Sequence, residues 1–176
     1  AGLKRMYLLA VKLMTVLSIP TAIFTTLLAP ILINILGGSE YLPHGAIALQ
    51  LFIWAMIIGW TNSVAQYVII ALHRQRTLTL AFIIGAGFNI IANLIFIPLY
   101  SYPAAAVITI FSEAVLWIAF YFVIRQELGG INWIGVLGRL AVAGLITAGG
   151  TWLLALLNMW IGLIGGVMIY GAGVVL

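Results

Sequence analysis

Very few side chains in this 176-residue chain can do acid–base or metal chemistry. The only acids are Glu40, Glu113 and Glu127, the only histidines are His44 and His73, and neither cysteine nor aspartate occurs. Thiolate metal sites and thiol nucleophiles are therefore excluded, and little remains for general acid–base catalysis. Glu113 is the informative acid because it lies about ten positions into an apolar run of about twenty. A carboxylate at that depth costs roughly 2.5–3.5 kcal/mol on insertion scales and usually faces a bundle interior or a water-filled cavity. Two readings stand for it. One is a protonated glutamic acid hydrogen-bonded to a neighbouring helix, and the other is a substrate or ion-coupling group.

The amides and small residues nearest that depth fall into stripes. Asn89 and Asn93, spaced i, i+4, share a helix face with Ala81 and Gly85. Thr109 and Ala106 line up with Glu113, and Ala55, Gly59 and Ser63 form a small-residue ladder with Asn62 and Gln66 beside it. Such stripes serve either as packing seams, where amides bond across helices, or as the lining of a cavity. The Gly162 to Gly166 spacing reads as packing. Pro20 and Pro30 each remove a backbone hydrogen bond from the first apolar run and predict helix kinks, either architectural or acting as bends during alternating access.

The elements that carry these residues are membrane helices. Hydrophobic residues make up 65% of the chain and charged residues 6%, with mean hydropathy +1.29, whereas soluble domains have about a quarter of their residues charged. A spanning helix needs about 20 apolar residues. Six runs qualify, at about 13–36, 46–72, 77–97, 103–124, 137–157 and 159–176. The expected fold class is an all-α polytopic transmembrane bundle of six spans, in which short links make sequential helices antiparallel neighbours. Residues 1–124 would hold four helices behind a cytoplasmic lead-in, 125–136 a cytoplasmic connection, and 137–176 a further helix pair.

Charge sets the expected orientation. With the N-terminus inside, Lys4, Arg5, Lys12, Arg74, Arg76, Arg125 and Arg139 all fall on the cytoplasmic side, as the positive-inside rule requires. Both ends are then cytoplasmic, in a multi-pass protein of the cell (inner) membrane. Arg74 and Arg76 read as topology determinants or as contacts to lipid phosphates. The net charge of +4 is a topology signal, since no basic stripe interleaved with aromatics exists to hold nucleic acid. The chain opens on Ala1 and is still apolar at Leu176, which reads as a piece of a longer protein.

Three stretches carry a family resemblance. Tyr67 to Arg76 (YVIIALHRQR), Gly87 to Tyr100 (GFNIIANLIFIPLY) and Ala104-Ala105-Ala106 resemble the polysaccharide-transporter flippases of the multidrug, oligosaccharidyl-lipid and polysaccharide exporter superfamily. Leu36-Gly37 followed by Tyr41 is similar to the loop before the same helix. The family often has Gly where His73 stands, and Gly before the alanine pair where this chain has Ala104. The resemblance covers about residues 13–125. It implies two six-helix lobes and an extra helix pair, with this chain supplying the last four helices of the second lobe and the extra pair.

The implied function is transport of a lipid-linked oligosaccharide or polysaccharide precursor by alternating access. Asn62, Gln66, Asn89, Asn93, Thr109 and Glu113 would line or brace the cavity, with no cofactor beyond coupling to a proton or sodium ion through Glu113. The implied partners are membrane lipids, the lipid-linked glycan and an N-terminal lobe of the same protein. The cationic residues that hold lipid pyrophosphate in such flippases have no counterpart within these spans. Alternatives are a multidrug or cation exporter of the same superfamily, a passive assembly subunit and a membrane-embedded transferase. The last is disfavoured because metal and diphosphate binding draw on acidic clusters that are absent here. The expectation is a transporter and not an enzyme.

Overall fold

A computed structural model describes residues 2–175. It is 91% helical, with no strand among the described residues. The helices are α1 (Gly2–Gly37), α2 (His44–Phe52), α3 (Ala55–Ala71), α4 (Gln75–Tyr100), α5 (Tyr102–Leu128), α6 (Trp133–Ala155) and α7 (Met159–Val175). Helix is the expected outcome in hydrocarbon, where every backbone donor and acceptor must find a partner within protein. Five stretches are long and apolar enough to cross a membrane, with α2 and α3 counted as the single run His44–Ala71. The chain is an all-α polytopic membrane bundle. A further apolar helix, α7, follows with 17 described residues.

The second span departs from the expectation of one straight helix. It divides at Ile53-Trp54, where Met56 N–H bonds to Ile53 O at 3.1 Å and Ile57 N–H to Trp54 O at 3.4 Å, so the spiral tightens to three-residue closure. Neither Pro nor Gly marks the place. Neighbour relations differ as well. α4 packs on α5 and α6 on α7, as short links predict, but α6 packs against α1 rather than against α5 along its length, and α5 packs on α3. The closest seams are made by glycines. A Cβ at Gly85 would come within 2.7 Å of Leu116 Cδ2, and one at Gly162 within 2.9 Å of the Ala155 backbone.

α1 remains one helix through both prolines. A proline at position i leaves the carbonyl of residue i−4 without its helical donor. For Pro20 that carbonyl is Val16 O, and it accepts from Tyr170 Oη of α7 at 2.9 Å. For Pro30 it is Thr26 O, and it accepts from Gln50 Nε2 of α2 at 3.0 Å. Two apparent defects in α1 thus become two ties to other helices.

All seven basic residues lie toward one end of the bundle. Two long-range contacts pin that end together: Arg74 to Glu127 at 2.6 Å, and Lys4 Nζ donating to Gly130 O at 2.8 Å. The opposite end carries Glu40 and His44, the latter with Nδ1 2.8 Å from Tyr102 Oη. Where α3 turns into α4, Arg74 N–H bonds back to Ile69 O at 3.1 Å and His73 takes φ 57°, the left-handed conformation that favours glycine at a helix end.

Two measurements test these local accounts. Replacing Tyr170 with Phe should cost about 1 kcal/mol in the natural background and close to nothing in a Pro20→Ala background, where the restored backbone N–H at position 20 supplies Val16 O. Thermal melting of the detergent-solubilised protein reads this coupling, and equal costs in both backgrounds would refute the tie. His73→Gly should raise the melting temperature, by up to about 1 kcal/mol of stability, because glycine adopts the left-handed conformation without a Cβ clash.

Candidate functional site

α5 is the element on which the polar residues converge. Pro103 sits in its first turn, where a missing N–H costs nothing, and Gly129 at φ 77° closes it with Arg125 in the last turn. Its two sides are both used, one against α3 and the other against α4.

On the α3 side, Asn62 reaches across to Glu113. Asn62 Nδ2 donates to Glu113 Oε2 at 2.7 Å and to the Glu113 backbone carbonyl at 2.9 Å. Asn62 is 5% exposed and Glu113 half-buried. The carboxylate lies against Gly59, where an added Cβ would meet Glu113 Cδ at 3.4 Å. That distance is ordinary van der Waals contact, so the carboxylate packs directly on the α3 backbone one turn before Asn62. Asn62 Oδ1 is buried and has no hydrogen-bond partner. A buried acceptor left in this state costs about 1–3 kcal/mol, so it calls for an explanation beyond packing.

On the α4 side, the residue of α5 just before Glu113, Ser112, does the joining. Asn89 Nδ2 donates to Ser112 Oγ at 2.8 Å, and Ser112 Oγ donates in turn to Ile108 O at 2.8 Å. Asn93 Nδ2 donates to both Asn89 O and Asn89 Oδ1 at 2.9 Å, and Asn93 Oδ1 is a second buried acceptor without a partner. Residues 112 and 113 point about 100° apart on a helix, so adjacent positions serve different neighbours.

The structure thus brings Asn62 to Glu113 and Asn89 to Asn93, with Ser112 linking the second pair to α5. Thr109 bonds to its own helix at Ala105 O, 2.9 Å away, and faces a groove shared with Ile33, Gly45 and Phe52. Gln66 is half-buried and makes no side-chain hydrogen bond among the described residues. Pro20 and Pro30 lie in α1, away from this cluster, at the carbonyl ties to Tyr170 and Gln50. Arg74 is held by Glu127, and Arg76 lies exposed in the first turn of α4. Ser112 was not singled out by sequence reasoning. The available signal was Ser112's position beside Glu113 at the depth of Asn89.

Among the described residues no three of His, Cys, Asp or Glu come together to hold a metal. The oxygens of Glu113 and Asn62 can carry a proton or help to coordinate a small monovalent cation.

In comparisons with known proteins, no family model matches the chain and no solved structure matches it. It is similar to an uncharacterized membrane protein of Methanocaldococcus jannaschii, 31% identical over 117 residues. That stretch is 66% of this chain and 22% of the relative, so the chain spans about a fifth of the relative's length. The likeness agrees with the membrane character of the helices.

Asn62→Leu should destabilise the protein by about 1–2 kcal/mol by leaving the Glu113 carboxylate without its donor. Glu113→Gln should cost less, since the amide oxygen still accepts from Asn62. A double-variant cycle followed by melting in detergent checks both. Additive losses from the two single changes would show that the pair does not interact.

Proposed function

We propose that this chain is the C-terminal portion of an oligosaccharide-lipid flippase, a transporter and not an enzyme, that moves a lipid-linked oligosaccharide or polysaccharide precursor by alternating access. The observation that carries the reading is Glu113, a carboxylate deep in a membrane bundle, held across a helix seam by a buried asparagine whose own carbonyl is unpaired. Ionisable groups inside membranes mark substrate or ion pathways by default. The resemblance of Tyr67 to Arg76 and Gly87 to Tyr100 to the flippases supplies the substrate class. Its frequent glycine at position 73 suits the left-handed backbone found at His73.

In this reading the polar stripes of α3, α4 and α5 line or brace a cavity completed by an N-terminal lobe. Glu113 and Asn62 pass a proton or sodium ion whose binding is coupled to the change of access. The basic end faces the cytoplasm, because all seven cations gather there. A second reading, export of a cationic drug, is favoured by the same carboxylate, which has no Lys or Arg paired with it among the described residues.

Glu113→Gln in the full-length protein should keep the fold and abolish most export. Transport unchanged at every pH tested would remove the coupling role. Loss of surface polysaccharide in a deletion strain supports the glycan substrate, and sensitivity to toxic cations with normal polysaccharide supports the drug exporter instead.

A further inference from the structure

The basic end of the bundle holds more positive charge than its own acids neutralise. Among the described residues Glu127 is the only side-chain carboxylate there, since Glu113 is deep in the bundle and Glu40 is at the opposite end, and Arg74 occupies it at 2.6 Å. Three cations are left together on α1. Lys4, Leu8 and Lys12 follow one another at i, i+4 and i+8 along one helix face, with Arg5 and Leu9 beside them. They border a groove of about 470 Å³ whose far wall is Val136 of α6. Lys4 Nζ donates to Gly130 O at 2.8 Å, which fixes the head of that side chain while leaving its charge unneutralised.

We propose that this groove binds an anionic phospholipid of the surrounding bilayer, with the headgroup phosphate among Lys4, Arg5 and Lys12 and the first acyl carbons against Leu8, Leu9 and Val136. Two features select a lipid over a free anion. The site lies at the end of membrane helices, where headgroups are concentrated. Its lining is also mixed: the cations suit a phosphate, and the aliphatic wall between them suits only a ligand with an apolar portion. The assignment also separates duties among the cations. Arg74 is spent on Glu127 inside the protein, and the α1 trio is the set directed at lipid. Three cations together at an anionic surface give strong selection for charge.

The test uses the full-length protein purified in neutral detergent, with bound lipid counted by native mass spectrometry. Phosphatidylglycerol should be retained in preference to phosphatidylcholine, and the preference should fall as salt screens the site. The combined change Lys4→Gln, Arg5→Gln, Lys12→Gln should lower phosphatidylglycerol occupancy about tenfold or more. The pair Arg74→Gln with Glu127→Gln should leave it unchanged. Equal retention of the two lipids by the natural protein would overturn the proposal, as would full occupancy in the folded triple variant. Displacement of the lipid by millimolar inorganic phosphate would also overturn it, by assigning the groove to free anions. If the triple variant does not fold, the comparison of the two lipids on the natural protein decides alone.

Discussion

The backbone of a membrane helix has no water to turn to, and most of this bundle's cross-helix chemistry follows from that. An unpaired carbonyl in hydrocarbon costs several kcal/mol, so every interruption of the helical ladder must be answered by protein. α1 contains two interruptions, and each is answered from a different direction: Tyr170 of α7 at Val16 O and Gln50 of α2 at Thr26 O. Prolines that would merely weaken a soluble helix act here as acceptor sites for other helices. They place α7 and α2 at fixed heights on α1 with a specificity that apolar packing alone does not supply.

The same scarcity of partners organises α5. Hydroxyls within the helices mostly bond back to their own carbonyls, as at Thr15, Thr61 and Thr147. Amides do both: Asn93 bonds back to Asn89 within α4, while two others reach across. Asn62 ends on Glu113, and Asn89 on Ser112, from different flanks. Small residues make those reaches short: Gly85 accepts Leu116 where a Cβ would clash. Packing seam and polar contact are consequently one feature, because a helix pair close enough for an amide to cross is one whose interface is lined with Gly and Ala.

Length, composition and charge made the all-α membrane class legible in the sequence, because solvent choice is written into every residue. The depth of Glu113 and the shared face of Asn89 and Asn93 followed from counting along a helix. The partners did not. Nothing local links Gln50 to Thr26 or Tyr170 to Val16, since the donor is chosen by which helices the tertiary fold sets side by side. The break at Ile53-Trp54 was equally silent, as it lacks the Pro or Gly that usually announces one. Arg74 reads from the sequence as a topology or lipid-phosphate residue, and its engagement with Glu127 depends on α5 returning beside the α3–α4 turn. Packing of α6 on α1 was missed because even the short link 129–132 leaves more than one neighbour within reach of the returning helix.

In the proposed coupling, the pair at the centre does more than brace two helices. A contact whose only task was to hold α3 against α5 would be served by apolar residues of similar volume, which leave nothing unpaired. Asn62 instead keeps a buried carbonyl oxygen without a donor beside an acid that has no Lys or Arg paired with it among the described residues. Both costs fall at one place, on adjacent turns of one helix and its neighbour. A visiting proton or cation at these oxygens would relieve both at once and would alter the attraction between α3 and α5 as it came and went. Coupling between ion binding and helix movement needs a differential interaction of that kind, and the Asn62–Glu113 seam has the chemistry for it.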